Sequence, residues 1–407
     1  MILNTVILNT VNSNSSQNLS VLLGTFICLI FLGCSNGTKE KFSNALKPES
    51  DGAYHVRPGE DIQAAIEAAA ADSKNKVVKV HEGTYFPTRP GQAFIWLNRE
   101  HDGVQLKAVG KVVLTAANEK VALVTSRSYP AIVNHVVYFG HGITSKTTID
   151  GFEITGANGH MTEMSVEKIE PQLPETLEPT LFFYSDGGAV KIYGDSCPQL
   201  FNLEIVENTV RICGGGVSVD QRGLCKTHVR IENCRFINNR CPATGSAIDV
   251  LQDSKAEIVN CLFVGNIGNY GMEEIAKTFR LSYNDEHGCG ALTVFPKSTA
   301  KVDRCTFTEN WSGVDDKGVG SEYKNCIFWK NDKSDGSRTG DPYELDVNET
   351  STVTGCFAFG KIIDLKKTID ASKNNFDEVD PQFDSSYVPQ SKAHENVGFR
   401  PKNQDKG

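Results

Sequence analysis

The chain reads as an all-β parallel solenoid in which three-stranded coils stack on one another. Three observations predict this. First, a short fragment recurs: NLEIVEN (202–208), NCRFINN (233–239), NCLFVGN (260–266), RCTFTEN (304–310), NCIFWKN (325–331) and the weaker GCFAFGK (355–361), with DGFEITGA (150–157) as a seventh copy. Second, an independent series precedes it: GGAVKIY (187–193), GGGVSVD (214–220), GSAIDVL (245–251) and CGALTVF (289–295). Val190, Val217, Ile248 and Leu292 are separated by 27, 31 and 44 residues, and Leu203, Cys234, Cys261 and Cys305 by the same three lengths. Third, apolar pairs of period two lie between the series, at Val229/Ile231, Ala256/Ile258 and Ala300/Val302. Alternation of that period marks strands, and three short strands in a repeat of about 20–30 residues make one coil of a parallel β-helix.

The recurring columns carry physical meaning. The slot before the cysteine holds Gly151, Asn202, Asn233, Asn260, Arg304, Asn325 and Gly355. It forms the bend between the second and third strands, where Gly and Asn tolerate a left-handed backbone; Arg304 departs from that chemistry. Cysteine and the phenylalanine two residues on point to one inner face. Stacked coils hold such cysteines about 4.8 Å apart, whereas a disulfide wants Cβ atoms at about 3.8 Å. The column Cys234, Cys261, Cys305, Cys326 and Cys356 therefore reads as reduced thiols filling space, although twelve cysteines in an exported chain ordinarily suggest bridges.

Composition sets outer limits. With 407 residues, 39% of them hydrophobic and 22% charged, the chain is no disordered polymer. Its 36 glycines against 15 prolines suit a turn-rich β protein. A net charge of −9 argues against a nucleic-acid partner, which needs a basic face.

The N-terminus points to export. Residues 21–34, VLLGTFICLIFLGC, form an apolar run of 14, shorter than the about 20 residues of a comfortable membrane span. That length suits a signal-peptide core. Its end, Phe31-Leu32-Gly33-Cys34, resembles a bacterial lipobox, in which Cys34 carries lipid and begins the mature chain. Two features depart from the pattern: residues 1–33 contain no Lys or Arg, and Phe31 stands where Leu is usual. Plain secretion and a buried apolar segment are the alternatives. The expected organisation is a signal segment over 1–34, a polar tether over 35–52, a β-helix over 53–385 and a tail over 386–407.

PGEDIQAAIEAA (58–69), VVKVHEGTY (77–85), TTIDGFEITG (147–156), the NCxFxxN series and VDPQF (379–383) resemble right-handed parallel β-helix proteins of the pectate lyase superfold. The resemblance covers roughly 53–390 and is specific for fold rather than activity. It implies that an amphipathic helix near 60–72, with Asp61 as N-cap and Ile62, Ala65, Ile66 and Ala69 inward, covers the open bottom of the stack. The segment 386–399 resembles a closing segment after the last coil.

The resemblance also locates a site, over the outer face of the first strand of each coil. That face carries Lys191, Tyr193, Ser218, Asp220, Asp249, Leu251, Thr293 and Phe295. Two insertions, 158–186 and 267–288, stand at one corner and are expected to wall an open groove floored by Lys191, Ser218, Asp220 and Asp249. Lyases of the superfold pair a Lys or Arg base with calcium held by carboxylates, and hydrolases use paired carboxylates. Lys191, Asp220, Asp249 and His287 are thus the candidate catalytic residues, with Asp220 and Asp249 also the candidate calcium ligands. Tyr193, Ser218, Arg280 and Tyr283 are the candidate substrate contacts. His135, His141 and His160 lie nearby. Arg-x-Pro-x-x-Arg does not occur, which weakens any one named activity.

Two functions stay open. One is a carbohydrate-active lyase, epimerase or hydrolase acting on an acidic extracellular glycan. The other is a non-catalytic surface protein binding glycan or partners along the β-helix face. The expected partners are a polysaccharide and, through the lipid, a membrane, with the chain acting as a monomer.

Overall fold

The computed structural model describes residues 46–162, 181–268, 270–271, 290–334, 341–364 and 367–401. Its architecture is a right-handed parallel β-helix. Among the described residues, nine parallel strands stack in the first sheet, from Gly91–Leu97 through Val190–Tyr193, Val217–Asp220 and Ile248–Val250 to Ile362–Ile363. The other two sheets begin fused: Val77–Tyr85, Gln105–Thr115 and Thr148–Thr155 are long strands that run through both. Beyond Thr155 each coil breaks them in two. Val229–Glu232, Lys255–Val259 and Thr299–Asp303 continue the second sheet, and Arg235–Ile237, Leu262–Val264 and Thr306–Thr308 the third.

Why they break is visible in the backbone. Asn202, Asn233, Asn260, Arg304 and Asn325 have φ between 50° and 57°, and Gly151 and Gly355 are also positive. Asn and Gly enter this region at little cost. Arg304 adopts it too, against its chemistry, because the pairing on either side fixes the bend.

The registers match the two columns of the sequence. Val190 faces Val217, Val217 faces Ile248, and Ile248 faces Leu292. Phe236, Phe263, Phe307 and Phe328 stack ring on ring, with centroids 4.9, 4.3 and 5.1 Å apart. Cys234, Cys261, Cys305, Cys326 and Cys356 are buried free thiols at the bend beside them.

A second ladder runs through the next turn. Asn208, Asn239, Asn266, Asn310 and Asn331 are buried, and each of the first four passes its side-chain amide to the next carbonyl oxygen at 2.7–3.1 Å. Each also donates to a backbone oxygen one coil back, as Asn266 does to Phe236. Glu344 ends the row, accepting from the Asn331 backbone N–H and side-chain amide. The residue before each asparagine (Glu207, Asn238, Gly265, Glu309, Lys330) sits at positive φ, so this turn also depends on a left-handed step.

The helix spans Ile62–Ala71, with the Asp61 carboxylate accepting from Gln63 and Ala64 N–H. Ile62, Ala65, Ile66 and Ala69 pack into the end of the core beside Val78 and Val80. The tail does not close the far end of the stack. It runs back along the outside of the third sheet, where Phe399 packs on Leu262 and Val264, and Arg400 N–H donates to Asn260.

Candidate functional site

Each coil enters the first sheet through a tight corner, and the first residue of each GG or GS pair makes that corner possible. Gly187 and Gly245 have φ of 77° and 59°. A Cβ on Gly245 would fall 2.3 Å from Asp249 Oδ1, and one on Gly187 would fall 2.6 Å from Val190 O. The strands that follow turn Lys191, Ser218 and Asp249 outward in one row, in register across three coils. Tyr193 and Asp220 form the next row.

These outward side chains are not open to solvent as the sequence suggested. Lys191, Tyr193, Ser218 and Asp249 are 0% exposed and Asp220 is 5% exposed. For Tyr193 the reason lies at the end of the first insertion. Leu181–Ser185 folds into a short helix whose Phe183 packs edge-on against Tyr193 at 4.6 Å and Tyr138 at 5.8 Å. The insertion, expected to stand up as a wall, lies down over the strands at this point.

Beneath that cover is a polar cluster. Lys191 Nζ donates to Ser218 Oγ at 3.2 Å and pairs with Asp220 Oδ2 at 3.3 Å. Arg222 approaches Asp220 Oδ1 at 3.2 Å and lies over the Tyr193 ring at 5.0 Å. His135 Nδ1 donates to Gly187 O at 2.9 Å, and its Nε2 lies 3.2 Å from Gln92 Nε2, which assigns the tautomer. Burial, helped by the Lys191 charge, drops its pKa to about 3, so this ring is neutral.

Two carboxyls stand apart from the ion pairs. Asp186, unremarked in the sequence, is fully buried, its Oδ1 accepting from Cys213 N–H and Ser185 Oγ at 3.2 Å each. Asp249 Oδ2 accepts from Thr244 Oγ1 at 3.0 Å. Among the described residues, no donor in hydrogen-bond geometry reaches Asp186 Oδ2 or Asp249 Oδ1. The Cys213 thiol lies close enough to Asp249 to favour its charged form, without meeting that geometry at Oδ1. Burial pushes Asp186 up to about 7, against the pull of Lys191. Burial and the Asp186 charge push Asp249 well above the carboxylate range.

The row continues past the expected site. Asp249 faces Thr293, Thr293 faces Asp315, and Asp315 faces Asp346. Lys317 bridges the last two, with Nζ 3.1 Å from Asp315 Oδ1 and 2.5 Å from Asp346 Oδ2. Asp315, Lys317 and Asp346 follow no GG pair and were missed.

Asp220 and Asp249 do not suit calcium. Both Asp220 oxygens face cations, and Ca²⁺ wants six to eight oxygen ligands. Among the described residues, no group of three or more His, Cys, Asp or Glu is arranged to hold a metal ion. His141 Nδ1 accepts from Asp195 N–H, and His160 Nδ1 lies 3.3 Å from Ser128 Oγ. His287, Arg280, Tyr283 and Cys34 lie outside the described residues.

No family model matches the chain, and no curated protein matches it. Among solved structures, the crystal structure of pectate lyase Pel9A is similar at 13% identity and a TM-score of 0.37, covering 87% of this chain and 90% of that one. No site residue is carried over from it, and the β-helix assignment rests on the strand pairing described above.

Proposed function

We propose that this chain is a carbohydrate-active β-helix protein that hydrolyses an acidic extracellular glycan, with Asp186 and Asp249 as its acid–base pair. The observation that carries the reading is the pair of fully buried carboxyls, each with one oxygen lacking a hydrogen-bond partner among the described residues. Buried polar atoms are ordinarily paired, and shifted carboxyls gather where chemistry uses them. Lys191 is engaged by Ser218 and Asp220, which favours carboxyl chemistry over a lysine base.

The two pKa shifts divide the roles. Asp249, raised well above the carboxylate range by burial and the neighbouring Asp186 charge, serves as the acid. Asp186, near 7, loses its proton there and serves as the base. The Asp186 carboxylate takes a proton from water, whose oxygen bonds to the anomeric carbon. The glycosidic C–O bond breaks, and Asp249 gives its proton to the departing sugar oxygen. Arg222, about a quarter exposed and stacked on Tyr193, supplies a cation at the rim for an acidic substrate. Substrate reaches the carboxyls when the helix Leu181–Ser185, next to Asp186 in the chain, is displaced.

The same proposal has the chain exported and held at a membrane by lipid on Cys34, in keeping with the lipobox-like end of the apolar run. No helix among the described residues is long and apolar enough to cross a membrane.

A panel of uronate-containing and sulfated glycans tests the function. New reducing ends without absorbance near 235 nm support hydrolysis. New absorbance there means elimination, which needs a different base. Binding with no product on any glycan means a non-catalytic surface protein.

A further inference from the structure

We propose that Cys197 and Cys225 form a thiol–disulfide site on the side of the helix, separate from the cysteine ladder. The two residues lie in the turns that lead from the first sheet to the second, on neighbouring coils, before Gln199–Phe201 and Val229–Glu232. One hydroxyl touches both sulfurs: Thr227 Oγ1 donates to Cys197 Sγ at 2.9 Å and lies 3.5 Å from Cys225 Sγ. The Thr227 hydroxyl thus bridges the two thiols.

This pair differs from the ladder in access. Cys234, Cys261, Cys305, Cys326 and Cys356 are 0% exposed, whereas Cys197 and Cys225 are 8% and 5% exposed. Leu224, Lys226 and Thr227, around Cys225, are exposed, so a small displacement of one turn uncovers the sulfur. The ladder thiols point into a closed core and have no such route.

The pair is asymmetric. The neighbouring Cys197 thiol brings the Cys225 pKa down to about 6, while that of Cys197 is raised. Cys225 is therefore the nucleophile. Its thiolate attacks one sulfur of a small-molecule or protein disulfide, forming a mixed disulfide and releasing one thiolate. Cys197 then loses its proton and attacks the Cys225 sulfur, expelling the second thiol. Two protein thiols lose two electrons and two protons, and the partner disulfide becomes two thiols.

The bond would staple the turn that carries Gln221 and Arg222. Gln221 already ties the same two coils, donating to Ser196 O at 2.9 Å, and Arg222 is the cation over Tyr193. Oxidation would thus fix the rim of the candidate site without adding a group to it.

The test exposes the native full chain to oxidised glutathione and maps thiols by differential alkylation and mass spectrometry. The expected result is one internal disulfide joining Cys197 and Cys225, a melting temperature raised by several degrees, and ladder cysteines that alkylate only after unfolding. In Cys197→Ser, the glutathione adduct should collect on Cys225. In Cys225→Ser, no adduct should collect on Cys197. A bridge between any other cysteines, or both thiols still alkylating fully in the oxidised native chain, overturns the proposal. The mapping on the parent chain decides the matter even if a variant fails to fold.

Discussion

Lys191 and Asp220, on neighbouring coils, form an ion pair with Nζ 3.3 Å from Oδ2, beside the Tyr193 ring against which Phe183 packs. The side chains are 0% and 7% exposed, so both charges have left water. A buried pair gains little net stability over an apolar one, yet breaking it strands the remaining charge. Lys191→Met is therefore expected to cost about 3–5 kcal/mol in denaturant unfolding. Asp220→Asn in the same chain should restore part of that loss, because Arg222 stays partly in solvent. A simple sum of the two single costs contradicts the coupling.

Asp186 should leave a pH signature. Its folded pKa of about 7 lies above the unfolded value of 3.8. The folded state holds the proton more tightly, so this contribution to stability is full below about 4 and is lost as pH rises through about 7. His135 acts oppositely: its folded pKa of about 3 lies below 6.5, and its contribution falls away as pH drops from 6.5 toward 3. Asp186→Asn mimics the protonated acid. The variant should melt close to the parent at pH 5 and several degrees above it at pH 8.5. Equal melting at both values would show that Asp186 is not shifted.

The asparagine ladder should be unforgiving in its middle. Asn266 accepts from the backbone and side chain of Asn239 and donates to Phe236 O and Asn310 Oδ1. Asn266→Ala strands several buried groups and should cost at least ~3 kcal/mol. Phe263→Ala, which opens the aromatic stack on the strand just before this turn, should cost about 3–5 kcal/mol. A cost below about 1 kcal/mol for Asn266→Ala would mean that water replaces the amide.

Much of this fold was legible because stacking repeats one side-chain choice at each height. Matching gaps in two columns gave the register of Val190, Val217, Ile248 and Leu292 directly. Asparagine and glycine gave away the bend between the second and third sheets, and Asn202 and Asn233 adopt the left-handed backbone they favour. The bend before the asparagine ladder was hidden, since Glu207, Asn238, Gly265, Glu309 and Lys330 share a conformation but no chemistry. At the site, alternation gave the direction of Lys191 and Asp249 but not their exposure. Tyr193 beside them is covered by Phe183, whose position in an insertion follows no column. Asp186 was missed for the same reason, although its place beside Gly187-Gly188 was a usable signal.

Export can be tested apart from catalysis. Cys34→Ser should leave the chain unprocessed or release it from the membrane fraction. Fractionation unchanged by that substitution would assign the apolar run another role.

The acid–base pair is tested most directly by turnover of a glycan that the parent hydrolyses, followed in the Asp249→Asn and Asp186→Asn chains across pH. Loss of the acid should lower kcat by about 10²–10⁴ in Asp249→Asn. In the parent, kcat/KM should rise with pH through about 7 as Asp186 gives up its proton, and Asp186→Asn should lose both that limb and most of the rate. Parent-like kcat and an unchanged pH profile in both folded variants would contradict the assignment and leave the buried carboxyls as packing groups.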